Sequence, residues 1–422
     1  MKFLRVGICA LVVFAVAAHG GVEDWARAII ETGAGLLFLV WALWLYFNDQ
    51  EQPVFSPLLP PLAVFSLIVL GQWFFHVTAS SYNTRIELLL LLADLIILFL
   101  AVQAFRMLDD WRSFVWFGMA LGFLVSIFGV LQHLTFNGKL YWFREMHFGG
   151  IPFGPYANRN HFAGFVELIV PLALVPLVLG RVRRERWAVV SFFAVVPLGA
   201  LFLSASRGGM VSFGIELAVL ALVMIQRRTA GKHLLAGAAV LLLAVFMVTW
   251  LGVGQILQRF SSLQSLETTV GKRASMRRDT WQIFMTHPLA GAGLGTLQVI
   301  YPPYETLYDG KIVNHAHNDY LEALAETGLL GGLCCAWFLG VLLSQSLMRL
   351  RQLNHSFAGA LQFSGLVACS GFLVHGLVDF NLHIPSNFLL FLLMAHLATA
   401  EIEPLGSPST SHGRRHRNPR NR

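Results

Sequence analysis

The stretch Asn314-His315-Ala316-His317-Asn318-Asp319 is followed by apolar residues at helical spacing. A helix starting near Asn318 puts Asp319 and Glu322 in its first turn and His317 at the positive mouth of its dipole. That field favours a neutral imidazole near pH 7, although Asp319 pulls the other way. The residues themselves leave two readings level: a general base for a hydroxyl proton, or a histidine capping a helix at an interface. His315, His317 and Asp319 also have the spacing of a metal half-site, which His383 would have to complete through the fold. Zinc catalysis needs three placed ligands and no HExxH is present, so no metal and no other cofactor are expected.

A second set of candidates is cationic. Lys272, Arg273, Arg277 and Arg278 crowd into GKRASMRRDTW. Clustered guanidiniums outside a membrane suit a diphosphate, which they bind through parallel hydrogen bonds; anionic headgroups would attract the same residues. Arg207, in SASRGGM, lies in a very short turn between two apolar runs. A cation costs about 2.5–3.5 kcal/mol at the centre of a span and less near its edge, so Arg207 calls for a partner. Gly208 and Gly209 would let a phosphate or backbone come close.

Polar groups also gather in GPYANRNHFAG (Asn158, Arg159, Asn160, His161) and in HGLVDFNLHIPSN (His375, Asp379, Asn381, His383, Asn387). So near apolar runs, they line a cavity or satisfy helix ends. GAGLGT at 291–296 lacks the Lys-Ser/Thr of a P-loop and reads as a flexible turn, not a nucleotide site. Asp94, Glu167 and Glu216 fall inside apolar runs, where they would form a proton path in a transporter.

The elements that must position these groups follow from composition. A chain of 422 residues would make about three soluble domains. Hydrophobic residues make up 56% of it, however, and charged ones 13%, about half the usual soluble share. A soluble enzyme, a disordered tail protein and a nucleic-acid binder are excluded. The cysteines, Cys9, Cys334, Cys335 and Cys369, all lie in apolar stretches and build neither a disulfide framework nor a zinc site. The expected fold is an all-α polytopic membrane protein. Continuous apolar runs near 4–20, 28–47, 54–76, 86–106, 113–136, 160–180, 188–205, 208–226, 233–253, 328–348, 357–379 and 384–402 predict twelve spans.

Positive charge collects in alternate loops: Arg181 to Arg186, then Arg227, Arg228 and Lys232, then Arg349 and Arg351, and the tail from Arg414. These loops and both termini are therefore expected in the cytoplasm. Residues 1–20 have some marks of a signal peptide but are expected to stay as the first helix. The chain is expected to form one membrane domain over 1–402 with a disordered basic tail at 403–422. The loops near 137–159 and 254–327 face outward. The second has amphipathic stretches such as 279–286, whose Trp281 and Phe284 are spaced to lie on the bilayer surface.

His317-Asn318, nine residues, Gly328, two residues and Gly331 resemble the signature of the O-antigen ligase and O-antigen polymerase superfamily. PLAGAGLGT, SRGG at 206–209, NRNHFAG at 158–164 and HGLVDFNLHIPSN at 375–387 are similar to blocks of that family in the same order. The resemblance covers roughly 150–390; residues 1–140 share only hydropathy. It implies a fold related to the C-type glycosyltransferases and transfer of a glycan from undecaprenyl diphosphate in the periplasm of the bacterial inner membrane, without metal or nucleotide. His317 would then be the base on the acceptor hydroxyl, and Arg207 and Arg277 would hold the donor diphosphate. Arg277 matches the family's R-x-x-x-W pattern through Trp281, with Arg273 and Arg278 close by. His315, Asn318, Arg273, Arg278, Asn160, His161, Asp379, Asn381 and His383 are the expected substrate-binding residues. The acceptor is lipid A-core in a ligase or a lipid-linked glycan in a polymerase, with ligase preferred. A protein O-glycosylating transferase would differ in acceptor alone, and a lipid-linked glycan or ion transporter is the reading from another class.

Overall fold

The computed structural model describes residues 1–48, 51–145, 151–226, 263–351 and 356–402. The expected span at 233–253, the basic residues Arg227, Arg228 and Lys232, and the tail at 403–422 lie outside the described residues. Everything regular among the described residues is helical. The helices are α1 (Lys2–Ala17), α2 (Asp24–Tyr46), α3 (Leu59–Phe74), α4 (Ser81–Ala104), α5 (Leu108–Leu134), α6 (Arg159–Val178), α7 (Trp187–Leu203), α8 (Arg207–Gln226), α9 (Leu263–Thr286), α10 (Leu297–Ile300), α11 (Asp319–Arg351), α12 (Phe357–His375) and α13 (Pro385–Thr399).

Eight of these are long and apolar enough to cross a membrane, which makes the chain a polytopic, all-α membrane protein. The expectation of twelve spans overcounts what the described residues hold. Local punctuation shortens several helices. Left-handed glycines at 20 and 21 end the first apolar run after α1. Prolines at the first positions delay α3 and α13, leaving apolar helices of 16 and 15 residues. Caps set other starts: Asn158 accepts from the Asn160 amide at 2.9 Å to open α6, and Ser356 accepts from Gly359 at 3.1 Å to open α12.

Helix α6 is buried along its whole apolar length and is the axis of the bundle, packed by α5, α7, α8, α12 and α13. Helix α2 is mostly bare, with Leu36, Leu39 and Leu43 turned outward as on a lipid-facing surface. The basic residues Arg181 to Arg186 follow the end of α6, and Arg349 and Arg351 finish α11. They therefore lie at the opposite helix ends from Asn158 and Asp319.

Helix α11 is broken at Gly328, where φ is 65° and ψ −164°. The stretch before the break is the helix expected at Asn318; the stretch after it is the span expected from 328. The PLAGAGLGT segment closes over this break. Leu329 and Leu330 amides donate to the Pro288 and Leu289 carbonyls at 2.8 and 3.1 Å, and Ala292 and Gly293 donate to Ala325 and Glu326 at 2.9 Å each. Gln72 of α3 adds bonds to the Ala290 and Glu326 carbonyls at 2.5 and 2.8 Å. The GAGLGT turn is thus a tied clamp, and the flexible turn read from its glycines is corrected. The glycines are needed because the backbones touch. A methyl on Gly328 would come 2.3 Å from the Leu289 carbonyl oxygen, and one on Gly291 would come 2.2 Å from the Glu326 carbonyl carbon.

Gly328→Ala should lower the melting temperature of the detergent-solubilised protein, with a loss of roughly 2 kcal/mol or more. Gly340→Ala, on the same helix where a methyl meets nothing within 4 Å, should leave it unchanged.

Candidate functional site

Helices α6, α8 and α11 begin, and α12 ends, around one carboxylate. Asp379 follows α12 in the HGLVDFN turn and is 1% exposed. Its Oδ1 accepts the Phe380 amide at 3.0 Å and lies 3.1 Å from His317 Nδ1. Its Oδ2 accepts the Asn160 side-chain amide and faces the Arg273 guanidinium at 3.8 Å. Burial works to raise the Asp379 pKa, but the bond from His317, its charge and those of His161 and His375 outweigh this and hold the carboxyl well below its usual range.

An ionised carboxylate only accepts, so His317 Nδ1 carries the proton of that bond and Nε2 is the basic nitrogen, an assignment made from the network. His317 has φ 49°, a left-handed conformation that is strained for a side-chain-bearing residue. Capping is done by its neighbour: Asn318 Oδ1 accepts the Leu321 amide at 3.0 Å, and its Nδ2 donates to the Leu377 carbonyl at 3.1 Å. Of the two readings left open for His317, the capping one passes to Asn318.

Arg273 of α9 also donates to the Val378 carbonyl at 2.9 Å, which places it in the Asp379 cluster. Arg277 and Arg278 are exposed on the same helix. Arg273, Arg277 and Trp281 recur every four residues and share one stripe, whereas Arg278 is turned off it. The Phe284 ring lies beside that of Trp281, their centroids 5.1 Å apart, and also packs on the Met276, Ile283 and Ala292 cluster. Asp279 anchors the helix from below, accepting the Tyr301 hydroxyl at 2.8 Å and the Thr306 hydroxyl at 2.9 Å.

Arg207 is the first residue of α8 and is partly exposed. Ser206 Oγ accepts the Gly209 amide at 3.2 Å and donates to Asn160 Oδ1 at 2.9 Å. Because Asn160 in turn holds Asp379, the arginine turn and the His317 carboxylate belong to one hydrogen-bonded chain. His161 is buried, its ring edge-on to Phe380 at 4.7 Å. Asn381 turns into the core, where its Oδ1 accepts Asn387 Nδ2 at 3.2 Å.

His315 and His383 join a separate cluster. Glu322, 1% exposed, accepts from His315 Nδ1 at 2.7 Å and from the Ala316 amide at 2.7 Å, and lies 3.4 Å from His383 Nε2. Asp319 accepts from His383 Nδ1 at 3.0 Å and from the Leu382 amide at 3.2 Å. One ligand atom from each of His315, Glu322 and His383 falls within 4.8 Å of the others, so these are the residues that could hold a metal, with Asp319 behind His383 as an outer partner. The half-site read as His315, His317 and Asp319 does not assemble, because His317 turns to Asp379. Asp319 and His383 also border an apolar cavity of about 470 Å³, shared with Asp94 and Glu87 of α4.

Sequence reasoning missed Ser206, Glu322 as a partner of two histidines, and Phe380. The Phe380 ring is stacked on His315 at 4.2 Å and met edge-on by His317 at 5.0 Å. Asp319, Glu322 and Glu326 recur at helical spacing on one face, which was the legible signal for that acidic stripe.

This site sits in a polytopic membrane protein built around helix ends. Residues 192–336 match the family model described as O-antigen ligase. The segment contains Arg207, the α9 arginines and His317, while Asn160 and Asp379 come from blocks on either side of it. No curated protein matches the chain.

Burial opposes charge on His383, but Glu322 and Asp319 raise its pKa to about 10, well above the ordinary 6.5. Its charge therefore stabilises the fold fully below about pH 6.5, less as pH rises, and not at all above about 10. The melting-temperature gap between wild type and His383→Gln should be widest near pH 6 and close towards pH 10. A gap that widens with pH would refute this pairing.

Proposed function

We propose that the protein transfers a glycan from undecaprenyl diphosphate to an acceptor hydroxyl on the periplasmic side of the bacterial inner membrane, as an O-antigen ligase. The observation that carries this reading is the chain His317–Asp379–Asn160–Ser206, which sets a histidine with a basic Nε2 beside the turn that bears Arg207. The basic ends of α6 and α11 lie away from that cluster, as expected if they are cytoplasmic with both termini.

In this mechanism His317 Nε2 takes the acceptor hydroxyl proton as its oxygen bonds to the anomeric carbon of the donor sugar. The bond from that carbon to the phosphate oxygen breaks, and undecaprenyl diphosphate leaves with one more negative charge. Arg207 and Arg277 stabilise that charge, with Arg273 holding the α9 arginine stripe to Asp379. Asp379 keeps the imidazole in the tautomer that leaves Nε2 basic and stabilises it when protonated. The donor is already activated, so guanidiniums at the leaving group supply what the reaction needs, and no nucleotide or metal step is required. Asn318 and the Phe380 ring, stacked on His315, shape the wall around the acceptor, while His161 and Asn381 support it from the core. A polymerase would use the same groups on a lipid-linked acceptor.

A glycolipid gel of surface polysaccharide tests the assignment in cells lacking the gene. Wild type should restore the ladder, while His317→Ala and Arg207→Ala should not. Bare lipid A-core in the deletion strain means ligase; core with a single repeat means polymerase. A full ladder with His317→Ala would remove the proposed base and favour a transporter.

A further inference from the structure

Glu167 and His375 take no part in the chemistry above, yet they are 0% and 1% exposed in the most enclosed region of the bundle. Glu167 Oε1 lies 2.9 Å from His375 Nδ1, which joins the axial helix α6 to the last residue of α12. A buried ionisable pair is poor evidence of stabilisation, since apolar residues of similar volume often do as well. Such a pair does fix the plane of the imidazole, which an apolar side chain could not.

The other edge of that ring meets the arginine turn. His375 Nε2 is buried without a hydrogen-bond partner. A methyl on Gly208 would come 2.6 Å from it and 2.8 Å from Cδ2. The next glycine is fitted in the same way: a methyl on Gly209 would come 2.6 Å from Ala163 Cβ and 3.1 Å from Leu201. The turn also contains Ala205 at φ 51°, a conformation that surrounding contacts must impose. On its far side Ser206 is tied to Asn160 and through it to Asp379. Arg207 thus stands between two buried carboxylates, one acting through Asn160 and Ser206 and the other through the imidazole under Gly208.

We infer that Glu167 and His375 are a positioning pair that sets the height and direction of Arg207 for a lipid-linked diphosphate. The inference rests on the reading of Arg207 as a diphosphate ligand. Glu216 provides a comparison within the same helices. It is 1% exposed on α8 and lies one turn further from the site, where a methyl on Gly371 would come 2.3 Å from its Oε1.

The test is binding of undecaprenyl diphosphate, and separately of undecaprenol, to the full-length protein in nanodiscs. Glu167→Gln and His375→Gln should each weaken undecaprenyl diphosphate binding about tenfold, the scale of one charged hydrogen bond. Gly208→Ala, which leaves the pair intact but pushes the turn off the ring, should do the same. Undecaprenol binding should stay at its wild-type value in the two Gln variants, even though losing one partner of a buried pair lowers their melting temperature, and Glu216→Gln should change neither affinity. If Arg207→Ala weakens the diphosphate lipid while Glu167→Gln and His375→Gln do not, the positioning role is wrong and the ligase reading stands. If Arg207→Ala itself binds like wild type, the reading beneath the inference fails. Equal loss of undecaprenol binding, or an equal loss in Glu216→Gln, would mean general damage to the bundle and would also overturn the pair.

Discussion

A carboxylate buried where several helices meet has to be compensated, and the geometry around Asp379 is that compensation. A lone ionised carboxyl in such a place costs several kcal/mol unless it is paired and hydrogen-bonded. Asp379 receives a backbone amide, the Asn160 amide, the His317 imidazole and the edge of Arg273. Each comes from a different part of the chain. Satisfying one side chain therefore requires that α6, α9, α11 and the turn after α12 meet at one level. The same requirement draws in α8, whose first turn is bonded to Asn160 through Ser206.

The membrane explains why these groups gather at helix ends. In hydrocarbon the backbone must bond to itself, so polar side chains and free amides are tolerated only at the ends of spans or facing one another. The break at Gly328 applies the same logic on the other side of His317: the PLAGAGLGT clamp meets the carbonyls and amides that the broken helix frees. Glu326 is pinned in turn by the Gly295 and Leu297 amides at 2.9 and 2.8 Å. The acidic face of the first part of α11 then carries His383 and His315, while His317 is directed to the opposite cluster. Two histidines one residue apart, His315 and His317, thus serve two different networks.

Local order was legible in the residues. Asp319 and Glu322 marked the start of α11, and the glycine signature placed its break at 328. The cost of Arg207 near lipid marked its turn. The hub was not legible, because Asp379 is one of six polar residues in its block and its partners lie about 60, 105 and 220 positions away, separations that no local rule connects. Hydropathy placed a helix in each expected span among the described residues, yet overcounted those long enough to cross, because it does not see where prolines and left-handed glycines stop a helix. Arg277 could be preferred over Arg278 by spacing alone, but the contact of Arg273 with Asp379 depends on how α9 lies across the site.

Because the site depends on Asp379, the most direct measurement is glycan transfer by Asp379→Asn, with its level in the membrane matched to wild type. This substitution keeps the shape and removes the charge. Transfer should fall by about 10⁴-fold, the scale seen when a catalytic histidine loses its orienting carboxylate. Transfer near the wild-type rate would show that His317 and the arginine turn do not depend on this carboxylate, and would contradict the account.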